Sequence, residues 1–92
     1  MMPSVARRLT IVNQRGLHAR ASAKFVETVE AHTADARVTR DGHTVSGDSI
    51  MGLLMLAAGC GSEIDVTCTG PDAEKLMDSL EKLVSGGFGE KR

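Results

Sequence analysis

The sequence predicts an α+β open-faced sandwich: a four-stranded, mostly antiparallel sheet with three helices on one face, in the order β-α-β-β-α-β-α. Three observations carry this. Four short stretches alternate apolar and polar residues, as strands buried on one face do. Three others carry apolar residues at helical spacing. Ninety-two residues leave room for one core, and strands with a single apolar face do not suit a sheet covered on both sides. A single domain over 1–92 is expected, with its core at about 8–85 and a flexible tail at 86–92.

The first strand is read at Leu9–Val12, with Leu9 and Ile11 on one face, and Asn13-Gln14-Arg15-Gly16 turns out of it. From Leu17 the period changes. Leu17, Ala21, Phe25 and Val29 recur every four residues with Val26 beside them, which predicts a helix over Ala21–Ala31. His32 follows as a surface residue at the helix end. Ala36–Arg40 and His43–Ser46 then alternate around Asp41-Gly42, a strong hairpin signal. Ala36, Val38 and Val45 are expected to face inward, and His43 to be exposed.

Ser49 is placed to cap a short helix, Ile50-Met51-Gly52-Leu53-Leu54-Met55-Leu56, that is apolar nearly all round. Such a helix is either buried on every side or offers a face to a partner. Leu53 and Leu56 are assigned to the core, with Leu54 and Met55 flanking them. Ile50, Met51 and Leu54 are assigned to an exposed patch, the alternative being that all are core. After the turn Gly59–Ser62, the alternating Ile64, Val66 and Cys68 predict the fourth strand, with Cys68 as an inert core thiol. Gly70-Pro71-Asp72 opens the last helix, with Pro71 expected in its first turn. Ala73, Leu76, Met77, Leu80, Leu83 and Val84 form its stripe, and Gly86-Gly87 stops it. Phe88 is placed to fold back onto the helix end.

Composition narrows the function classes. Lys and Arg number 11 against 12 Asp and Glu, a net charge of −1, so no bulk field points to nucleic acid or an anionic membrane. With no Trp or Tyr and only two Phe, aromatic platforms for single-stranded nucleic acid are absent. No apolar run approaches the roughly 20 residues of a membrane span, and no secretory signal precedes Leu9. Cys60, Cys68 and three scattered histidines make no metal cluster. Neither a metal nor another cofactor is expected, and two free thiols fit the cytoplasm.

Chemistry concentrates at Gly16-Leu17-His18-Ala19-Arg20-Ala21-Ser22. His18 falls where a strand hands over to a helix, at or beside the N-cap. The first N–H groups of a helix lack internal partners, and that end is partly positive, so it receives anions. A positive helix end also disfavours a protonated ring, and a neutral imidazole has a lone pair with which to attack. Arg20 adds a cation that can fork onto phosphate oxygens. Together these suggest a histidine that carries a phosphoryl group. The plainer reading is a turn histidine beside a solvated arginine.

With both motifs in view, the chain resembles the HPr family, the histidine-containing phosphocarriers of the bacterial phosphotransferase system, from about Arg8 to Val84. Gly16-Leu17-His18-Ala19-Arg20 is similar to the family's phosphorylation motif, and Ser49-Ile50-Met51-Gly52 to its second, regulatory motif. The resemblance implies that His18 is phosphorylated on Nδ1 by phosphorylated Enzyme I, and that Arg20 neutralises the phosphoryl group. It implies that the group then passes to Enzyme IIA-type acceptors. By the same resemblance Ser49 is a target of HPr kinase/phosphorylase, while Ile50, Met51 and Leu54 form the docking surface. Ala21 stands where the family usually has proline, and is counted with the partner-binding residues. A carrier rather than an enzyme is expected, as a monomer meeting transient partners. Two other classes compete: a purely regulatory relative acting through Ser49 and the apolar patch, and an unrelated ferredoxin-like binding domain. His18 with Arg20 speaks against the first; the missing aromatics and basic patch speak against the second.

Overall fold

The computed structural model describes residues 2–90. The elements follow the expected order: β1 (Ser4–Thr10), α1 (Ala19–Glu30), β2 (Asp35–Arg40), β3 (His43–Ser46), α2 (Ile50–Met55), β4 (Glu63–Thr69) and α3 (Ala73–Ser85), then a 3₁₀ turn at Gly87–Gly89. The four strands form one sheet in the order β1-β4-β2-β3, with every neighbouring pair antiparallel. β4 is central, pairing β1 from Ser4↔Thr69 to Thr10↔Glu63 and β2 from Asp35↔Thr69 to Thr39↔Asp65. The architecture is the expected open-faced sandwich.

Alternation places the side chains. Leu9, Ile64, Val66, Cys68, Ala36 and Val38 are buried on the inner face, with Val45 packed at their edge. Arg8, Glu63, Asp65 and Arg37 take the other parity and are exposed. Phe25, Val26 and Val29 of α1 and Leu76, Met77, Leu80 and Val84 of α3 pack onto them, joined by Leu53 and Leu56 as the sequence assigns. Burial pushes the Cys68 thiol up to about 11, which keeps it protonated and inert at neutral pH.

The structure departs from the sequence reading of the elements and the core in five places. β1 begins at Ser4, not Leu9. Position 7, on the inward parity, holds an arginine that breaks the apolar alternation; its guanidinium reaches across to Asp78, Glu81 and Glu74 of α3. α1 begins at Ala19, two residues earlier than Ala21. Pro71 precedes α3 instead of entering its first turn, and Asp72 takes the N-cap position. The Asp72 carboxylate accepts the Thr33 N–H at 2.8 Å, tying the start of α3 to the segment after α1. Met55, expected beside the core, is 79% exposed.

The fifth departure concerns the expected tail at 86–92. Phe88 is only 1% exposed, and Lys24 Nζ donates to its carbonyl at 2.6 Å. The segment is therefore packed at least through Glu90; residues 91 and 92 lie outside the described residues. Burying the Phe88 ring offsets the cost of its left-handed backbone, φ 56°. Phe88→Ala is expected to lower stability by about 3 kcal/mol or more, read from urea unfolding. A loose tail would give no change.

Candidate functional site

The site is built by a loop that leaves β1 and returns as α1. Ile11 keeps pace with the sheet, its N–H on Ser62 O at 2.8 Å and its carbonyl accepting Gly61 N–H at 2.7 Å. Asn13 is fully buried, and its Nδ2 donates to the Gly16 carbonyl at 2.8 Å. Gly16 adopts φ +68°, and a Cβ there would lie 2.5 Å from the Ala58 carbonyl oxygen. Only glycine fits both the angle and the approach. Leu17 then donates its N–H to the same Ala58 oxygen at 2.9 Å and buries its side chain. The loop is pinned on both sides of the turn.

His18 follows as the N-cap of α1, in extended conformation, with its carbonyl accepting the Ser22 N–H at 2.8 Å. Its ring makes no capping hydrogen bond. That leaves the first amides of a twelve-residue helix and their partial positive charge beside a half-buried imidazole. Ser22 is buried, and its hydroxyl donates to the Leu17 carbonyl at 3.2 Å, bracing the turn from inside.

The ring instead meets Glu90, a residue the sequence reading left in the tail. His18 Nε2 is hydrogen-bonded to Glu90 Oε2, and Asn13 Nδ2 donates to Glu90 Oε1 at 2.9 Å. The Asn13 hydrogen bond, joined by those of His18 and the charge of Arg15, holds the Glu90 carboxyl below its ordinary range against an opposing desolvation. An ionised carboxylate only accepts, so Nε2 carries the hydrogen of this contact, and a ring with a single N–H then has its lone pair on Nδ1. The one sequence hint of this contact was the aromatic Phe88 inside a glycine-rich run.

Arg20 is exposed, and no ion pair holds it among the described residues. Ala21 is fully buried, so its methyl presents nothing to a partner; this corrects its assignment to the partner-binding set. Ser49 caps α2, its Oγ accepting the Gly52 N–H at 3.0 Å. Ile50, Met51 and Met55 are the exposed apolar side chains of that helix, while Leu54 is half-buried and Leu53 fully buried. Met51 and Met55 lie one turn apart, an i, i+4 relation that could have placed Met55 in the patch. α2 packs against α1, and the Leu17–Ala58 hydrogen bond joins the histidine loop to the segment just after α2.

His32 and His43 stay apart from this site. His32 Nδ1 pairs with the Thr28 carbonyl at 2.8 Å and His43 is exposed on the hairpin. No group of metal-ligating side chains occurs among the described residues, and no described helix is long and apolar enough to cross a membrane.

An antiparallel open-faced sandwich with a histidine at a helix threshold defines a small class of proteins. A family model described as the PTS HPr component phosphorylation site matches residues 5–86. The phosphocarrier protein HPr of Cupriavidus necator is 44% identical over 81 residues, covering 88% of this chain and 91% of that protein. The crystal structure of HPr-C-His from Thermoanaerobacter tengcongensis superposes with a TM-score of 0.91 at 32% identity, covering 96% of this chain and 99% of that one. HPr from Bacillus anthracis gives 0.84 at 40% identity, over 88% of this chain and 96% of that one. The chain belongs to the HPr family, phosphocarrier proteins of the phosphotransferase system and not enzymes.

Two outcomes test the geometry. Gly16→Ala is expected to cost more than about 1 kcal/mol in urea unfolding, because the new methyl meets the backbone of Ala58 and φ is positive. It should also move the amide resonances of Leu17 and His18. For Glu90, a lowered carboxyl pKa means a stabilisation present at neutral pH and lost as acid protonates the group. The difference in urea midpoint between wild type and Glu90→Gln should therefore be largest near pH 7 and vanish in acid.

Proposed function

We propose that His18 is the residue that carries the phosphoryl group, accepting it from phosphorylated Enzyme I and surrendering it to Enzyme IIA-type acceptors. The observation that carries this reading is the hydrogen bond from Nε2 to Glu90, which leaves Nδ1 as the lone-pair nitrogen of a ring at the N-cap of α1. Nδ1 attacks phosphorus while the donor nitrogen leaves. The helix-end amides and Arg20 then attract the phosphoryl oxygens. Each such contact at a surface is worth about 0.3–1 kcal/mol, which holds the group without trapping it. A carrier needs that balance, since its product must be handed on.

Ile50, Met51 and Leu54, with Met55 added, serve as the docking surface, close in the fold to the histidine loop. Phosphorylation of Ser49 by an HPr kinase/phosphorylase would bring about −1.5 to −2 charges to the start of α2. Docking would have to desolvate that charge next to the apolar patch, so Ser49 serves as an off-switch. The chain acts as a cytoplasmic monomer, without cofactor, in a sugar-transport or nitrogen-type regulatory relay whose acceptors decide between the two.

The test mixes the purified protein with Enzyme I, Mg²⁺ and phosphoenolpyruvate, with His18→Ala alongside, and reads intact mass before and after acid. One phosphate adduct, lost in acid and missing from the variant, is expected. No adduct with a demonstrably active Enzyme I refutes the carrier reading and leaves a regulatory module acting through Ser49 and the patch. Ser49→Asp is expected to slow acceptance from Enzyme I by about tenfold, the factor equivalent to about 1.4 kcal/mol of docking energy. An unchanged rate would remove the off-switch.

A further inference from the structure

Glu90 does not reach His18 by chance of a loose end. Phe88, two residues before it, is buried in the core, and its carbonyl is held by Lys24 Nζ. Asn13, itself buried, holds one carboxylate oxygen and leaves the other for the ring. The turn between them bends through positive φ at Gly87, Phe88 and Gly89, with the Glu90 N–H returning to the Gly87 carbonyl at 3.0 Å. Glu90 is the charged group on the ring itself; Arg15 acts on the Glu90 carboxylate, Lys24 holds the Phe88 carbonyl, and Arg20 follows His18 by two residues in α1. Of these only Glu90 can accept the ring's hydrogen.

We propose that Glu90 is a positioning residue for phosphoryl transfer: it fixes the proton on Nε2 of His18 and supplies the counter-charge that the ring needs once Nδ1 is phosphorylated. This rests on His18 being the carrier. When Nδ1 takes the phosphoryl group, an N–P bond forms from its lone pair, and the donor's N–P bond breaks with its electrons returning to the donor nitrogen. The Nε2 proton does not move. The ring therefore becomes a phosphorylated imidazolium, and its positive charge lies against the Glu90 carboxylate. On delivery the bond electrons return to Nδ1, and the ring departs as neutral imidazole, already in the tautomer for the next cycle. Without the Nε2 proton it would have to depart as an imidazolate anion, a far poorer leaving group. Glu90 thus keeps the phosphorylated ring in the form that can give its cargo away.

The sign of the pH effect follows. A carboxylate favours the protonated ring, so its removal lets the phosphorylated ring lose its proton at lower pH, and delivery declines from a lower pH. The experiment phosphorylates wild type, Glu90→Gln and Glu90→Asp, then measures return of the group to unphosphorylated Enzyme I across pH. Each variant is expressed as a ratio to wild type, which cancels Enzyme I's own titration. Glu90→Gln should match wild type at acid pH and fall about tenfold behind on the alkaline side, the worth of one charge-assisted hydrogen bond. Glu90→Asp should recover part of the loss. In ¹⁵N-labelled unphosphorylated protein the His18 Nε2–H signal should be visible in wild type and lost to exchange in Glu90→Gln.

A ratio that is flat with pH overturns the proposal, whether it lies at one or below it, because a structural role alone would slow transfer uniformly. So does an Nε2–H signal indifferent to Glu90→Gln. If wild type itself takes no phosphate, the carrier reading falls and this inference with it. If wild type cycles normally and the Glu90→Gln profile superposes on it, only the role of Glu90 falls.

Discussion

The buried Asn13 amide spends its two hydrogens on two different parts of the chain. One goes to the Gly16 carbonyl and closes the turn that aims His18 at the start of α1; the other goes to Glu90 and fastens the terminal turn over the ring. The Asn13 side chain is fully buried, so losing either bond leaves one of its amide hydrogens poorly satisfied. Asn13 Oδ1 already lies buried without a protein partner. A side chain of another shape could make one of these contacts but not both. The histidine end of the molecule therefore depends on an interaction that the sheet and its core do not provide.

The sheet contributes a fixed distance instead. β4 runs between β1 and β2 over seven and five paired positions, so the loop ends that follow β1 and precede β4 are held together by Ile11, Gly61 and Ser62. Against that frame the segment after α2 offers its Ala58 carbonyl to Leu17. α2 itself is short, with Leu53 buried and Met51 and Met55 exposed. Its position comes from packing on α1 and from the Ser49 cap more than from its own propensity, since a six-residue helix is marginal alone.

Much of this was legible before any coordinates. Alternation located β2, β3 and β4, Asp41-Gly42 located the hairpin, Ser49 announced its cap, and the change of period after Leu17 placed His18 at a helix start. What escaped was long-range. The first half of β1 was hidden because Arg7 occupies an inward position that only makes sense once Asp78, 71 residues away, is known to face it. Glu90 was hidden for the same reason, lying 72 residues from the ring it touches and following a run of glycines that reads as a tail. Met55 escaped on a finer scale, where one helical step of 100° decides between core and surface; Ala21 belongs to the apolar stripe as read, and only its partner-binding role, implied by the resemblance, fails.

The terminal turn has a consequence for how the two ends of the chain differ. β1 carries the backbone from Ser4 to Thr10, about 20 Å along the sheet, so the N-terminal end starts at the far edge from the histidine loop. At the other end of the described residues, Glu90 lies against the imidazole itself. Sequence added ahead of Ser4 starts away from the histidine loop, whereas anything joined behind Glu90 emerges beside the ring that the proposed carrier role needs open. The two termini are therefore not equivalent as attachment points. On the proposed carrier role, a surface anchor, a reporter or a fused domain leaves the imidazole clear from one end and crowds it from the other.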